Sequence, residues 1–522
     1  MCGILGKCSL QKEGLIDEEQ IRSLTKLLEH RGPDDEGYFF DANIGMGVRR
    51  LSIIDLKTGH QPIHNEDKSL WIIYNGEIYN YLEIRKELIS KSHKFYTQSD
   101  TEVILHLYEQ EGEDFVKRLN GMFAFALWDK KNEKLILARD RFGVKPLFYS
   151  SLNNSLAFSS ELNPLLSMQE IGKDIDFDAL SNYFSYNYIP EPNSIFRNIK
   201  KLQPGNILVY ENNDIRIKKY WDLGFNIERE KTFQQYAEEL DILLQNSVKM
   251  MLRSDVPIGV LLSSGLDSSS IIAYMRNFIK GPIKTFTIGF DDKSYSEAKG
   301  ARAIAKRFET EHHEISLENN LIELILNSVE HFGEPFGDNA SLATMMLSKA
   351  VKNSVKVVLT GDGGDEILAG YPTHYVYKIA ALYKKIPSGL RKHFIKKIVE
   401  KLPVSTDRLS HDYVLKRFVQ GAGYSFQEAH FLWKAIFYDH QKEKLFTDRF
   451  KNLSTRNNSF SVCEDYFDRV KSEEVLNQLL YVDFKTFLLS NGLVRVDRMT
   501  MANGIETRVP FLENNLVEFV ST

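Results

Sequence analysis

Three stretches of the chain concentrate groups able to do chemistry. In the first, VPIGVLLSSGLDSSS (Val256 to Ser270), an apolar, β-branched run breaks into Ser263, Ser264 and Gly265, and Asp267 to Ser270 open a helical pattern. Strand, small-residue loop and helix N-terminus together cradle a phosphate, because the first helical amides lack internal partners and the helix dipole favours an anion. A Walker A lysine is missing, which argues against a nucleoside triphosphatase of that type. Asp267 points instead to a divalent cation bridging carboxylate and phosphates. The plainer reading is an N-cap on a buried βα unit.

The second stretch, Thr360-Gly361-Asp362-Gly363-Gly364-Asp365-Glu366, ends the strand pattern that begins at Val355. Its carboxylates would repel phosphates unless a cation lies between, so the two loops together imply Mg²⁺. The alternative is a solvated acidic turn. The third stretch is the N-terminus. With Met1 removed, Cys2 would carry both a thiol and an α-amine of pKa about 8, the N-terminal-nucleophile arrangement.

Further polar groups accompany Cys2. His30 to Asp34 form a polar turn, and the pair Arg49-Arg50 precedes a short strand. Asn75-Gly76-Glu77 follow the strand pattern Leu70 to Tyr74. Asn-Gly is first a turn signal and second a candidate oxyanion hole, made by the Asn75 amide and the Gly76 N–H. Ser99-Asp100 open a helix running to Tyr108, where Asp100 fits a functional carboxylate and an ordinary N-cap equally well. His312 and His313 are adjacent on a strand and point to opposite faces, so they are structural rather than joint metal ligands.

The first ~200 residues read as hairpin-spaced strands with a few helices, a layered α+β domain. Irregular polar sequence from Pro190 to Phe233 marks a boundary. Alternating strands and helices follow, implying a doubly wound parallel sheet with ligands beyond the carboxyl ends of its strands. The lysine-rich segment Tyr377 to Pro403 reads as an amphipathic helix with a solvated basic face.

A length of 522 residues suits two or three domains. The 66 basic and 71 acidic residues nearly balance, which gives no case for nucleic acid or an anionic membrane as partner. Cys2, Cys8 and Cys463 cannot build a disulfide framework; they fit a reducing compartment, and Cys8 and Cys463 read as packing residues. No apolar run is long enough to cross a bilayer and no signal-peptide pattern opens the chain, so the expectation is a soluble, cytoplasmic protein.

In order, MCGILG, HRGPDDEG, RLSIID, YNGEIYN, SDTEVIL, GMFAFALWD and RDRFGVKPL resemble the class II glutamine amidotransferase domain of asparagine synthetases. SSGLDSS and TGDGGDE resemble the pyrophosphate-loop ATP domain of the same family, and Leu493 to Glu513 also matches it. The resemblance implies an N-terminal-nucleophile layered sandwich over 2–218 and an ATP-pyrophosphatase domain over 236–522. It makes Cys2 the nucleophile and its α-amine the base. Asn75 and Gly76 form the oxyanion hole, and Arg50, Glu77 and Asp100 hold glutamine. Leu262, Ser263, Gly265, Asp267, Ser268, Ser269, Ile288, Thr360 and Gly361 hold ATP or pyrophosphate. Asp267 and Asp365 bind Mg²⁺, and Asp362, a position that is Glu in some members, assists formation of an acyl-adenylate. Asp497, Arg498, Glu506 and Arg508 belong to the acyl-acceptor side. The implied activity is glutamine- and ATP-dependent synthesis of asparagine from aspartate through β-aspartyl-AMP, in a homodimer. Two alternatives stay open: a different carboxylate acceptor, or glutaminase activity alone. Family members commonly run many tens of residues past the position of Thr522 and carry there a lysine near the adenylation site, which motivates the second.

Overall fold

The strand Cys2–Ser9 is buried on both faces, and the N-terminal half is built around that requirement. The computed structural model describes residues 2–9, 16–152, 155–227, 230–290, 296–316, 321–405, 410–454 and 458–522. Met1, on whose removal the Cys2 chemistry depends, lies outside them. Cys2–Ser9 pairs antiparallel with Ile44–Arg50, setting Cys2 opposite Arg50, and with Ser155–Ser159. These strands centre a six-stranded sheet; a second is ordered Asp214–Lys219, Asn206–Glu211, Lys134–Arg139, Gly121–Asp129, Leu70–Ile78, Ile63–His64.

Side-chain alternation sorts the layers. Ile4, Met46 and Val48 of the first sheet pack against Ile73, Ala124, Trp128 and Leu137 of the second. Leu5 points the other way, onto Leu24 of the helix Glu18–Lys26 and Leu28 just after it. The outer face of the second sheet, with Tyr74 and Phe123, is covered by Ile84 and Leu88 of Tyr81–Ser90 and by Val103 and Leu107 of Glu102–Glu111. The result is the expected four-layer sandwich of helix, sheet, sheet and helix.

The C-terminal half holds a parallel sheet, ordered Glu311–Ser316, Lys284–Gly289, Ile258–Leu261, Val357–Leu359, Glu506–Arg508. The chain winds outward in one direction from Ile258–Leu261 and then in the other. The topological switch therefore falls between Ile258–Leu261 and Val357–Leu359, and both glycine-bearing loops leave the sheet there. No described helix is long and apolar enough to cross a membrane. An apolar interface joins the halves, with Leu51, Ile53, Met122 and Phe142 packed into one core with Leu262, Leu488 and Phe511.

Two expectations need correction. Asn75-Gly76 is not a turn: the strand runs unbroken over Leu70–Ile78, with Asn75 opposite Ala124 and Gly76 opposite Phe123. Glycine is required by close approach instead, since a Cβ at Gly76 would lie 2.1 Å from Met122 O. The stretch Pro190 to Phe233 is not irregular throughout. Asn206–Glu211 and Asp214–Lys219 form a hairpin that completes the second sheet, turned by Asn212 and Asn213 at φ 53° and 60°. Two asparagines between alternating runs were the signal for it. The helices of the lysine-rich segment do form, yet Leu382, Phe394 and Ile398 on them are exposed as well as the lysines.

Replacing Gly76 by Ala should destabilise the protein by about 1–3 kcal/mol or more, as over-packing against backbone does. Urea unfolding of G76A checks this; an unchanged midpoint would mean the sheet has room that the geometry denies.

Candidate active sites

Strand pairing brings the N-terminal candidates together. Cys2 is buried, and burial pushes its thiol up from the ordinary value. Its backbone N–H donates to Asn75 Oδ1 at 2.9 Å, and Gln61 Nε2 lies 3.8 Å from its Sγ. With its oxygen so engaged, the Asn75 amide leaves a buried Nδ2 with no hydrogen-bond partner. The Tyr74 and Ile78 N–H groups donate to Gln61 Oε1 and Asp100 Oδ2 rather than to the neighbouring strand. By the two-residue repeat, the Gly76 N–H between them faces the same way. The Asn75 amide, bonded to the Cys2 backbone, and the Gly76 N–H are thus two neighbouring donors on this strand. Across the ladder, Arg50 donates from Nη2 to Ile54 O and Asp55 O.

Asp100 is not the N-cap of the following helix, which spans Glu102–Glu111 and has no side-chain cap. Its carboxylate turns inward, accepting from Ile78 N at 2.9 Å and the Tyr74 hydroxyl at 3.1 Å. Glu77 and Glu506 lie buried beside it. Burial, then Glu506 and Asp100, hold Glu77 well above the usual carboxylate range, and burial also raises Asp100. Arg508 Nη2, 3.3 Å from Glu77, and Arg508 Nε, 2.6 Å from Glu506, supply one guanidinium to this group of acids. Such a pocket is suited to one further cation.

The second site is a cavity of about 740 Å³ at the sheet's switch point. Leu262, Ser263, Gly265, Asp267, Ser268, Ile288, Thr360, Gly361, Asp362 and Asp365 line it. The helix Leu266–Met275 starts there with Gly265 as N-cap and no side-chain cap, so its first amides face the opening. Ser263 and Ser268 hydroxyls bond each other at 2.8 Å. Ser269 does not share the lining; its hydroxyl donates to Leu266 O, back onto its own helix. Burial and then Asp365 and Asp362 raise Asp267 from 3.8 to about 6. Glu366, which accepts from the Tyr371 hydroxyl at 2.8 Å, is raised by burial to about 7.

The stretch expected to build the acyl-acceptor side divides differently. Asp497, Arg498, Glu506 and Arg508 point to the N-terminal half: Asp497 to Arg31 at 2.9 Å, Arg498 to Glu161 at 2.8 Å, and Arg508 to Glu77. Arg495 is the one that enters the cavity, bonding Asp362 Oδ1 at 2.8 Å and Asp338 at 3.3 Å. Residues 495 and 497 stand about 200° apart around the helix Leu493–Met501, so they face opposite ways. That one turn of helix decides which charge serves which site.

Comparison with known proteins fits this geometry. A glutamine amidotransferase domain family matches residues 1–221, and the asparagine synthase family matches residues 239–522. Asparagine synthetase (glutamine-hydrolysing) 1 of Bacillus subtilis is 36% identical over all of this chain and 81% of its own length. The chain belongs to the asparagine synthase family. A putative asparagine synthetase (glutamine-hydrolysing) 2 of Methanocaldococcus jannaschii is 39% identical over 80% of this chain and 84% of its own. An amidase, chyE, of Penicillium rubens is 28% identical over all of this chain and 82% of its own.

In this asparagine synthase family member, sequence reasoning missed Gln61, Arg31, Glu161 and Arg495. Arg31 is wholly buried, donating from Nε to Cys2 O at 3.2 Å and from Nη1 to Glu161 and Asp497. It lies inside HRGPDDEG, so the motif was visible, but its partner is 466 residues away.

Both charge groups are open to test. Arg31→Leu leaves Asp497 and Glu161 short of a buried partner and should cost about 3–5 kcal/mol, read by denaturant unfolding. Asp267 keeps its proton in the folded chain up to about pH 6 but loses it near 3.8 when unfolded. Stability should therefore fall as pH rises between those values and then level off. Urea titrations of wild type against Asp267→Asn should diverge across that window; parallel curves would show that neither burial nor the neighbouring carboxylates raise Asp267.

Proposed function

We propose that the chain makes asparagine from aspartate, glutamine and ATP. The observation that carries this reading is the shared helix Leu493–Met501, which holds Asp497 on the Arg31–Cys2 side and Arg495 on the Asp362 side. Ammonia released at one site is then generated within the same molecule as its point of use, where an internal passage shelters it from protonation in bulk water.

With Met1 removed, the Cys2 α-amine takes the proton of its own thiol. This relieves the burial that disfavours a thiolate, and the sulfur attacks the glutamine side-chain carbonyl. Asn75 Nδ2 and the Gly76 N–H take the developing oxyanion. The proton passes to the departing ammonia, and water then cleaves the thioester to glutamate. Arg50 suits the glutamine α-carboxylate, and the pocket of Glu77 and Asp100 suits its α-ammonium.

At the second site, the aspartate β-carboxylate attacks the α-phosphorus of ATP and displaces pyrophosphate. Ser263, Gly265, Ser268 and the open amides of Leu266–Met275 receive the phosphates, and Leu262, Ile288, Thr360 and Gly361 flank the nucleoside. Ser269, turned onto its helix, takes a lesser part. Asp267 and Asp365 are the residues to hold Mg²⁺. Their repulsion with Asp362 is what a cation relieves, and bound there it would offset phosphate charge. Asp362, oriented by Arg495, is the carboxylate we assign to assisting formation of the acyl-adenylate. Ammonia attacks its β-carbonyl carbon and expels AMP. The reading extends to a cytoplasmic homodimer.

The similarity to an amidase over the full chain keeps a second acceptor class in view, a different carboxylate at the same adenylation site.

One assay with glutamine, Mg-ATP and aspartate should yield glutamate, AMP and asparagine in step. Cys2→Ala should lose glutamine-dependent synthesis and keep it with added ammonium. Asn75→Ala should lower glutamine hydrolysis about 10²–10³-fold. Glutamate without AMP would sink the synthetase reading, and AMP formed only with other carboxylates would favour the second acceptor class.

A further inference from the structure

Away from both sites, four side chains converge on the outer face of the N-terminal half. Glu66 lies in the turn between Ile63–His64 and Leu70–Ile78, and His93 follows the helix Tyr81–Ser90. His106 and Glu109 are three apart on Glu102–Glu111 and so share one of its faces. One ligand atom from each can be chosen so that all four lie within 4.8 Å of one another. Glu109 Oε2 is 2.8 Å from His106 Nδ1 and 3.4 Å from His93 Nδ1, and Glu66 Oε2 is 3.7 Å from His106 Nδ1. Ligands about 2.0–2.2 Å from a tetrahedral ion stand about 3.3–3.6 Å apart, so these separations straddle that edge length.

We propose that Glu66, His93, His106 and Glu109 form a binding site for a divalent metal ion of the zinc class. Two imidazoles with two carboxylates suit such an ion better than Mg²⁺ or Ca²⁺, which prefer all-oxygen sets, and the two carboxylates balance its charge. A built metal site also orients its ligands from behind. Here three of the ligands have such a partner, and the fourth has a carboxylate close by. Glu66 Oε1 accepts from Lys94 N at 2.9 Å, and Glu109 Oε1 accepts from Asn65 Nδ2 at 2.8 Å. The far nitrogen of His93 lies 2.8 Å from the Gln110 amide, whose oxygen can accept from it once the amide is turned. His106 is wholly buried; its Nε2 has no hydrogen-bond partner and stands 3.6 Å from Glu102, a carboxylate fixed by Tyr96 N and Thr97 N.

The site would join three segments: the β-turn, the chain after the second helix, and the helix Glu102–Glu111. That helix begins two residues after Asp100, so the ion would brace the element that follows this carboxylate without touching the glutamine site itself. The competing occupant of the same negative pocket is a proton on His106.

The test uses the full chain, stripped with chelator and titrated with Zn²⁺ alone by calorimetry. We expect one ion per chain, a thermal midpoint raised by roughly 2–3 °C at a hundredfold excess over Kd, and binding weakened at least about tenfold in Glu66→Gln and in His93→Gln. Both positions reach solvent, so the variants should fold. Co²⁺ loading should give a tetrahedral visible spectrum without thiolate charge transfer. Binding that is absent, equally tight in both variants, or marked by a thiolate band would overturn the site and leave the proton as its occupant.

Discussion

Arg31 is a guanidinium with no exposure, and much of the molecule is arranged to keep it matched. Burial opposes its charge, while Asp497 and Glu161 restore it and hold Arg31 above its ordinary value. Glu161 is in turn held well below the usual range, because His30, Arg498 and Arg31 outweigh its own burial. Lys145 is wholly buried in the same group, 3.8 Å from Asp497, and burial pushes it down. Each of these charges would be costly alone, and together they lock the two halves in one register. Through Arg31 the register reaches the backbone carbonyl of Cys2 itself.

A second contact across the same interface has a different character. Glu77, Asp100 and Glu506 form a buried group richer in acid than Arg508 can neutralise. Arg508 donates two further bonds to Met251 O and Arg253 O, so its position is set by the C-terminal half. A strand of the parallel sheet thereby tunes the field at the end of a strand of the antiparallel one. The charge deficit left over is the physical basis for placing the glutamine ammonium there.

The cavity at the sheet's switch point works by the opposite logic. Its loops supply amides and hydroxyls for anions, while Asp267, Asp362 and Asp365 repel one another across it. Gly361 and Gly364 press against Asp267, with a Cβ at either position falling 2.8 Å from that side chain, so the first loop packs directly on the second. Arg495 relieves only Asp362. An arrangement that is strained without counter-charge favours binding phosphate and cation together.

Much of this was legible from local sequence, because local rules govern it. Strand period, small-residue loops at strand ends and the position of Cys2 each depend on a few neighbouring residues, and they specified both halves and the two loops of the cavity. What depends on close approach of distant backbone was not legible. Asn-Gly carries the pattern of a turn, but the atom that makes Gly76 a strand glycine is Met122 O on the adjoining strand. Asp100 has the spacing of a cap, yet the Ile78 amide competes for it and wins. The direction of each charge along Leu493–Met501 follows from helix phase and from which half packs on which face, so Asp497 faces the N-terminal half and Arg495, which the motif did not single out, faces the cavity. Residue types and spacing alone determined which chemistry the chain could support; tertiary packing decided which side chain meets which, because a buried charge has to be paired wherever its partner lies in the sequence.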